Sequence, residues 1–246
     1  MNNLEKKIIV ITGGSGLLGK SVIKELINEK AIFINADINQ VDDIENGVLF
    51  CDVTDIVSVK NAIEKIINKY GKIDGWVNNA YPRTLDWGKK FEEIHLDSWV
   101  KNIDLQLNSV FICCQSILEI MKMQGFGSIV NIASIYGLVG PDFSVYSGTN
   151  MTMPAAYSAI KGGVINFSRY LASYYGPFGV RINCVSPGGI FDNQNVSFVR
   201  NYASKVPLKR MAMPEDISSS ICFLLGEGAK YITGHNLIVD GGWTIV

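Results

Sequence analysis

Tyr157-Ser158-Ala159-Ile160-Lys161 sets a phenol and an ammonium four residues apart. On a helix that spacing places both side chains on one face, a turn apart. Of the ten tyrosines, Tyr157 alone has a lysine at the fourth following position. A solvated surface pair would carry the same spacing, so the pair counts only for what it could do chemically. A phenol with a pKa of about 10 is a poor base at neutral pH. Lowering it by about three units takes roughly 4 kcal/mol of preferential phenolate stabilisation. A nearby ammonium in a partly dry site can supply a large share of that, and a cationic cofactor ring can add to it. The chemistry on offer is therefore proton transfer.

The second chemical feature is the run Thr12-Gly13-Gly14-Ser15-Gly16-Leu17-Leu18-Gly19. It follows an apolar run and opens a helix-period stretch. Glycines allow a tight strand-to-helix turn and let the backbone approach a pyrophosphate, with helix amides facing the phosphates. An ordinary βα turn can also be glycine-rich. Here an acid, Asp37, follows a second apolar run, 18 residues beyond Gly19. A carboxylate at that place accepts hydrogen bonds from both adenosine ribose hydroxyls and repels a 2′-phosphate. No Lys or Arg follows closely in Ile38-Asn39-Gln40. The expectation is a nicotinamide dinucleotide, NAD(H) rather than NADP(H). The competing reading of Asp37 is a surface acid that caps its own loop.

These residues need a frame. Apolar runs at 7–12, 31–36, 48–51, 73–78, 128–134, 180–186 and 236–240 are rich in Ile and Val and do not alternate with polar residues. That is the pattern of parallel strands buried on both faces. Between them lie helix-period stretches at 17–29, 55–70, 97–123, 155–175 and 214–225. Strand–helix alternation implies right-handed crossovers and a single α/β domain over 1–246, a doubly wound parallel sheet of Rossmann type with helices on both faces. In such a sheet ligands sit beyond the carboxyl ends of the strands. Those ends read Thr12-Gly13-Gly14, Asp37, Asp52, Asn78-Asn79-Ala80, Ser134 and Ser186-Pro187-Gly188-Gly189.

With the pattern complete, the chain resembles the short-chain dehydrogenase/reductase family over nearly its whole length. The glycine turn looks like that family's T-G-x-x-x-G-x-G, except that the middle glycine falls on Leu17 and Gly16 sits one position early. Asn78-Asn79-Ala80 is similar to N-N-A-G, with Tyr81 in place of the glycine. Asn131-Ile132-Ala133-Ser134 resembles the catalytic-serine strand. The resemblance implies cofactor contacts at Gly13, Ser15, Gly16, Leu17, Leu18, Asp37, Asp52, Val53, Asn79, Ala80, Pro187, Gly188 and Ile190, with Tyr157 and Lys161 contributing. It implies that Tyr157 exchanges the proton as hydride moves, that Lys161 also binds the nicotinamide ribose, and that Ser134 bonds the substrate oxygen and steadies its developing charge. Gln106 falls where the family often has an asparagine that holds a proton-relay water. Asp192 stands where a threonine is common. The family analogy also implies a homo-oligomer, a tetramer built on the helices at 97–123 and 155–175 and on the C-terminal segment.

Ser134 and Tyr157 are 23 residues apart, farther than the family usually spaces them. The excess lies at about 142–153. Tyr146 has the usual spacing but carries Asn150 where the lysine is needed, so Tyr157 is the expected base. Arg83 follows the Asn78-Asn79-Ala80 strand end, and a guanidinium there can grip a phosphate or carboxylate. Arg83, Tyr146 and Asn150 are therefore the expected substrate contacts, unless Arg83 merely pairs with Asp86 or Glu92 at the surface. The stretches around Arg83 and Tyr146 look most like bacterial members named for flagellin modification or surface-sugar synthesis. A sugar phosphate or nucleotide sugar is the expected substrate, a 3-oxoacyl thioester or other small carbonyl compound the alternative. A reading from another class is a dinucleotide-binding regulatory subunit with little turnover.

Other classes find little support. A net charge of −1 offers no field for nucleic acid. The histidines are His95 and His235, with no H-E-x-x-H and no cysteine pair, so no metal site is expected. Five cysteines without a paired spacing favour free thiols in a reducing, cytoplasmic compartment. The amino terminus lacks the apolar core of a signal peptide. No run is read as long and apolar enough to cross a membrane.

Overall fold

The computed structural model describes residues 2–246. Seven strands form one parallel sheet: β1 (Ile8–Thr12), β2 (Ile32–Asp37), β3 (Val48–Phe50), β4 (Gly75–Asn78), β5 (Gly127–Ile132), β6 (Val180–Pro187) and β7 (Asn236–Val239). Their order across the sheet is β3-β2-β1-β4-β5-β6-β7. All six pairings are parallel. Every residue of β1 is buried, as expected of a central strand covered on both faces. The chain leaves β1 toward β2 and β3, then returns to β4 on the other side. A crevice therefore opens between β1 and β4, where the direction of winding reverses.

Helices cover both faces. On one, α1 (Leu17–Asn28) and α7 (Pro214–Leu225) bury Leu18, Val22, Leu26, Ile217 and Ile221 against Ile9, Ile11 and Val130. On the other, α2 (Ile56–Tyr70), α4 (Ser109–Gln124) and α5 (Ala155–Tyr175) pack Ile63, Ile66, Ile117, Leu118 and Leu171 against Val10, Trp76 and Ile129.

Four expectations are corrected. The helix expected at 97–123 is α3 (Leu96–Ile103), then a π-helical turn at Asp104–Asn108, then α4. The combined stretch Leu96–Gln124 has 29 residues, and an 18-residue window within it has a mean hydropathy of 1.2, so by length and composition it could cross a membrane. Here it packs on the sheet, with Cys113, Cys114, Ile117, Leu118 and Met121 at most 1% exposed. An unexpected helix, α6 (Val196–Lys205), follows β6. Two strand ends also differ from the reading by two residues: β4 begins at Gly75 rather than at 73, and β5 ends at Ile132 rather than at 134. Before β4, the Asp74 carboxylate accepts from Ile8 N at 2.8 Å. After β5, the chain leaves the sheet at Ser134 for a 3₁₀ turn at Ile135–Gly137, whose Tyr136 N donates to Ser134 Oγ at 3.2 Å.

Candidate active site

The crevice is a cleft of about 870 Å³, within the size range of small-molecule sites. One end is built by the β1–α1 turn. Gly13 has φ +65°, and a Cβ there would lie 2.8 Å from Ala80 Cα. Only glycine allows that approach. Thr12 Oγ1 accepts from Asn79 N (3.0 Å) and Ala80 N (3.2 Å), and Asn79 Nδ2 donates to Gly13 O at 3.0 Å. These bonds clamp the glycine turn to the end of β4. Gly13, Ser15, Gly16, Leu17, Leu18, Asn79 and Ala80 all line the cleft. Gly16 is the N-cap of α1 and no side chain caps that helix, so its first amides are available to an anion. Leu17 is the first helical residue and is 44% exposed. The turn therefore accommodates a side chain at the place where the resemblance has glycine.

Asp37 ends β2 and also lines the cleft. Its carboxylate accepts from Ser15 N at 3.0 Å, Asn39 N at 2.9 Å and Asn39 Nδ2 at 3.2 Å. The acid thus ties the glycine turn to the β2 loop and still borders the cavity. Asp52 and Val53 line the wall beside it, with Asp52 Oδ1 held by Thr54 N and Thr54 Oγ1 at 2.9 and 2.7 Å. No lysine or arginine lines this end among the described residues; the lining cations are Arg83 and Lys161.

Ser134, Tyr157 and Lys161 meet in the other half. Ser134 follows β5, and Tyr157 and Lys161 lie on the first turns of α5. A Cβ on Gly137 would sit 2.6 Å from the Lys161 carbonyl carbon. The Ser134 turn therefore rests directly on the α5 backbone, which brings serine and tyrosine together. Lys161 Nζ donates to Ile132 O at 2.7 Å and lies 5.5 Å from the Tyr157 ring centroid. Burial pushes the Tyr157 phenol up, while the Ser134 hydroxyl pulls it down. Burial lowers Lys161 to about 8. Tyr81 stands edge-on to Tyr157, centroids 5.8 Å apart, and Trp87 does the same at 6.2 Å.

Arg83 lines the cleft with its guanidinium carbon 5.4 Å from the Tyr81 ring centre. It makes no ion pair among the described residues; Asp86 is instead held by Ser98 Oγ at 2.7 Å. Pro187, Gly188, Ile190 and the exposed Asp192 border the cleft from the β6 side. Tyr146 lines it too, stacked on Phe198 at 5.3 Å. Asn150 does not: it is exposed and outside the lining, although Met151, Thr152 and Met153 of the same loop border the cleft. Gln106 is also absent from the lining. It is 4% exposed on the π turn, and neither of its side-chain polar atoms has a partner among the described residues. Tyr136 and Phe198 were not anticipated as lining. Of these only Tyr136 carried a signal, its place two residues after Ser134.

The family model described as enoyl-(acyl carrier protein) reductase matches residues 19–244. The chain is 35% identical to the post-translational flagellin modification protein A of Campylobacter coli, over 98% of this chain and 99% of the relative. It is 31% identical to the 7alpha-hydroxysteroid dehydrogenase of Bacteroides fragilis, over 100% and 97%. A solved short chain dehydrogenase from Leptospira borgpetersenii with bound NAD+ superposes with a TM-score of 0.88 at 34% identity, covering 98% of this chain and 94% of that one. The chain belongs to the short-chain dehydrogenase/reductase family.

Proposed function

We propose that this chain is an NAD(H)-dependent oxidoreductase that interconverts a secondary alcohol and a ketone. The observation that carries this is one cleft with Ser134, Tyr157 and Lys161 at one end and the glycine turn with Asp37 at the other. The fit to a dinucleotide rests on the Gly13 approach to Ala80, the uncapped start of α1 and the acid beside them. The neighbour with bound NAD+ supports it. Gly13, Ser15, Gly16, Leu17 and Leu18 would hold the pyrophosphate, Asp37 the adenosine ribose, Asp52 and Val53 the adenine, and Asn79, Ala80, Pro187, Gly188 and Ile190 the nicotinamide half. The nicotinamide, when bound, supplies the hydride acceptor or donor. In the oxidation direction Tyr157 Oη takes the hydroxyl proton while Ser134 Oγ holds the substrate oxygen. Lys161, charged at neutral pH, stabilises the phenolate. Gln106, buried behind the site with unpartnered polar atoms, suits the support of a relay water.

Arg83 supports an anionic substrate. A sugar phosphate or nucleotide sugar supplies that anion, and the Campylobacter coli relative supports a role in flagellin modification. A less polar ring alcohol is the second reading, favoured by Met151, Met153 and Phe198 in the lining. Exposed aromatics on α4 and α5 (Phe111, Tyr170 and Tyr174) support a homo-oligomer, the tetramer of the family analogy. Five free, buried cysteines support a reducing, cytoplasmic setting. Incubation with NAD+ and a panel of secondary alcohols, read by NADH absorbance, tests the proposal. NADH formation is the expected result; tight NADH binding without turnover of any alcohol would favour a dinucleotide-binding regulator.

A further inference from the structure

Gly188 and Gly189 form a thin wall. Both line the main cleft, and both also line a second cavity of about 160 Å³, together with Leu208, Arg210 and Asp240. With open space on either side, packing alone does not fix this turn. Hydrogen bonds do. Gly188 N donates to Val239 O, and Ala212 N donates to Gly189 O, both at 2.9 Å. A third bond goes to a side chain: Gly189 N donates to Tyr202 Oη at 2.6 Å. The phenol comes close enough that a Cβ on Gly188 would sit 3.0 Å from Tyr202 Oη, and a Cβ on Gly189 2.8 Å from Tyr202 Cζ. Two glycines in the turn make room for that approach.

Tyr202 belongs to α6, which also carries part of the opposite wall. Phe198, one turn earlier, lines the cleft and stacks on Tyr146 at 5.3 Å. Asn201 Nδ2 donates to Val145 O (3.3 Å) and Ser147 O (3.1 Å), and Lys205 pairs with Asp142 at 3.0 Å. The buried Tyr202 ring is itself stacked on Trp243, with centroids 4.4 Å apart and planes at 14°. Burial pushes its phenol up to about 12, so the bond to Gly189 is made by a neutral hydroxyl at physiological pH. Helix α6 thus grips the 142–153 segment through three side chains and the Gly188–Gly189 turn through one.

We propose that Tyr202 is a positioning residue: its hydroxyl holds the Gly188–Gly189 turn where that turn borders the nicotinamide half of the cleft, and α6 links the turn to the Tyr146 wall, so that a ligand on one side stiffens the other. This rests on the dinucleotide reading above. A turn held in place before the ligand arrives spares binding the cost of ordering it. A turn free to recede into the second cavity does not. The nicotinamide is the part of the cofactor that reports this, because the glycine turn and Asp37 lie at the other end of the cleft.

The test titrates NADH and ADP-ribose, which lacks the nicotinamide, calorimetrically into wild type, Tyr202→Phe and Trp243→Phe. Tyr202→Phe keeps the ring and its stack and loses only the oxygen. It should weaken NADH about fivefold, the contribution of one neutral hydrogen bond, and leave ADP-ribose within about twofold. Trp243→Phe thins the stack but keeps the hydroxyl, so its ratio of the two affinities should stay within about twofold of wild type. Amide exchange gives a second readout. In ligand-free Tyr202→Phe, exchange at Gly189 should be about tenfold faster. NADH should slow exchange along Val196–Lys205 and 142–153 in wild type and not in Tyr202→Phe. Unchanged NADH affinity, equal weakening of both ligands, the same change of ratio in Trp243→Phe, or no slowing at 142–153 in NADH-bound wild type would overturn the proposal. If wild type binds neither ligand, the dinucleotide reading fails, and ligand-free exchange decides the inference by itself. Faster exchange at Gly189 in Tyr202→Phe sustains the hold on the turn, and unchanged exchange there overturns it.

Discussion

Lys161→Met removes the charge that the proton-transfer step relies on and keeps an unbranched chain of similar reach. The ammonium lies 5.5 Å from the Tyr157 ring centroid. Phenolate charge is shared between ring and Oη, so a separation of about 5–8 Å applies, and at an effective dielectric of about 20 a unit charge there stabilises it by about 2–3 kcal/mol. That equals about two pKa units. With Lys161 held at about 8, most of this charge is present at neutral pH and fades above. The variant's phenol should therefore titrate about two units higher, and alcohol oxidation near pH 7 should fall about 100-fold. The assay is kcat for oxidation from about pH 6 to 10 at saturating NAD+, in wild type and variant. The ascending limb should move upward in the variant. Ile132 O also loses its donor, which costs about 1–3 kcal/mol of stability, so both proteins are compared well below their unfolding temperatures. A slower variant whose limb stays in place would refute the electrostatic argument and leave Lys161 only an orienting role.

Asp37→Ser should narrow the preference for NADH over NADPH at least about tenfold, because the carboxylate that repels a 2′-phosphate is gone; calorimetric dissociation constants check it, and an unchanged ratio contradicts it. Arg83→Ala should raise KM for an anionic substrate about tenfold with NADH affinity intact, since Arg83 has no ion pair among the described residues to lose; an unchanged KM contradicts it. Burial holds the thiols of Cys51, Cys114 and Cys222 up at about 12, against a usual 9.0. Because the folded values are raised, their stabilisation is complete below pH 9 and is lost as pH rises toward 12. Cys222→Ala should flatten the decline in unfolding free energy above pH 9 by about 1.4 kcal/mol per pH unit, read by urea denaturation; parallel curves contradict it.

The parts of the fold legible in the sequence are those whose cause is local. Ile8–Thr12 reads as a covered strand because both faces of β1 are apolar. Tyr157 and Lys161 need only one helical turn to meet. The π turn at Asp104–Asn108 is different: one extra residue per turn leaves the three-and-four spacing of 97–123 nearly intact, so periodicity sees a single helix. Helix α6 buries only Phe198 and Tyr202, too little to stand out between turn residues. Asn150 was misplaced because its loop is set by distant contacts, Asp142 with Lys205 and Tyr146 with Phe198. Tyr81, in place of a glycine, reads in sequence as a departure; only packing shows its ring edge-on to Tyr157.

The central claim is that Tyr157 Oη exchanges the substrate proton. Tyr157→Phe keeps the ring packed against Tyr81 and Trp87 and removes only that oxygen. Turnover of the best alcohol found in the panel should fall at least about a thousandfold, while the NADH dissociation constant stays within about twofold. A variant that retains about a tenth of the wild-type kcat would contradict the account and assign the proton to another group.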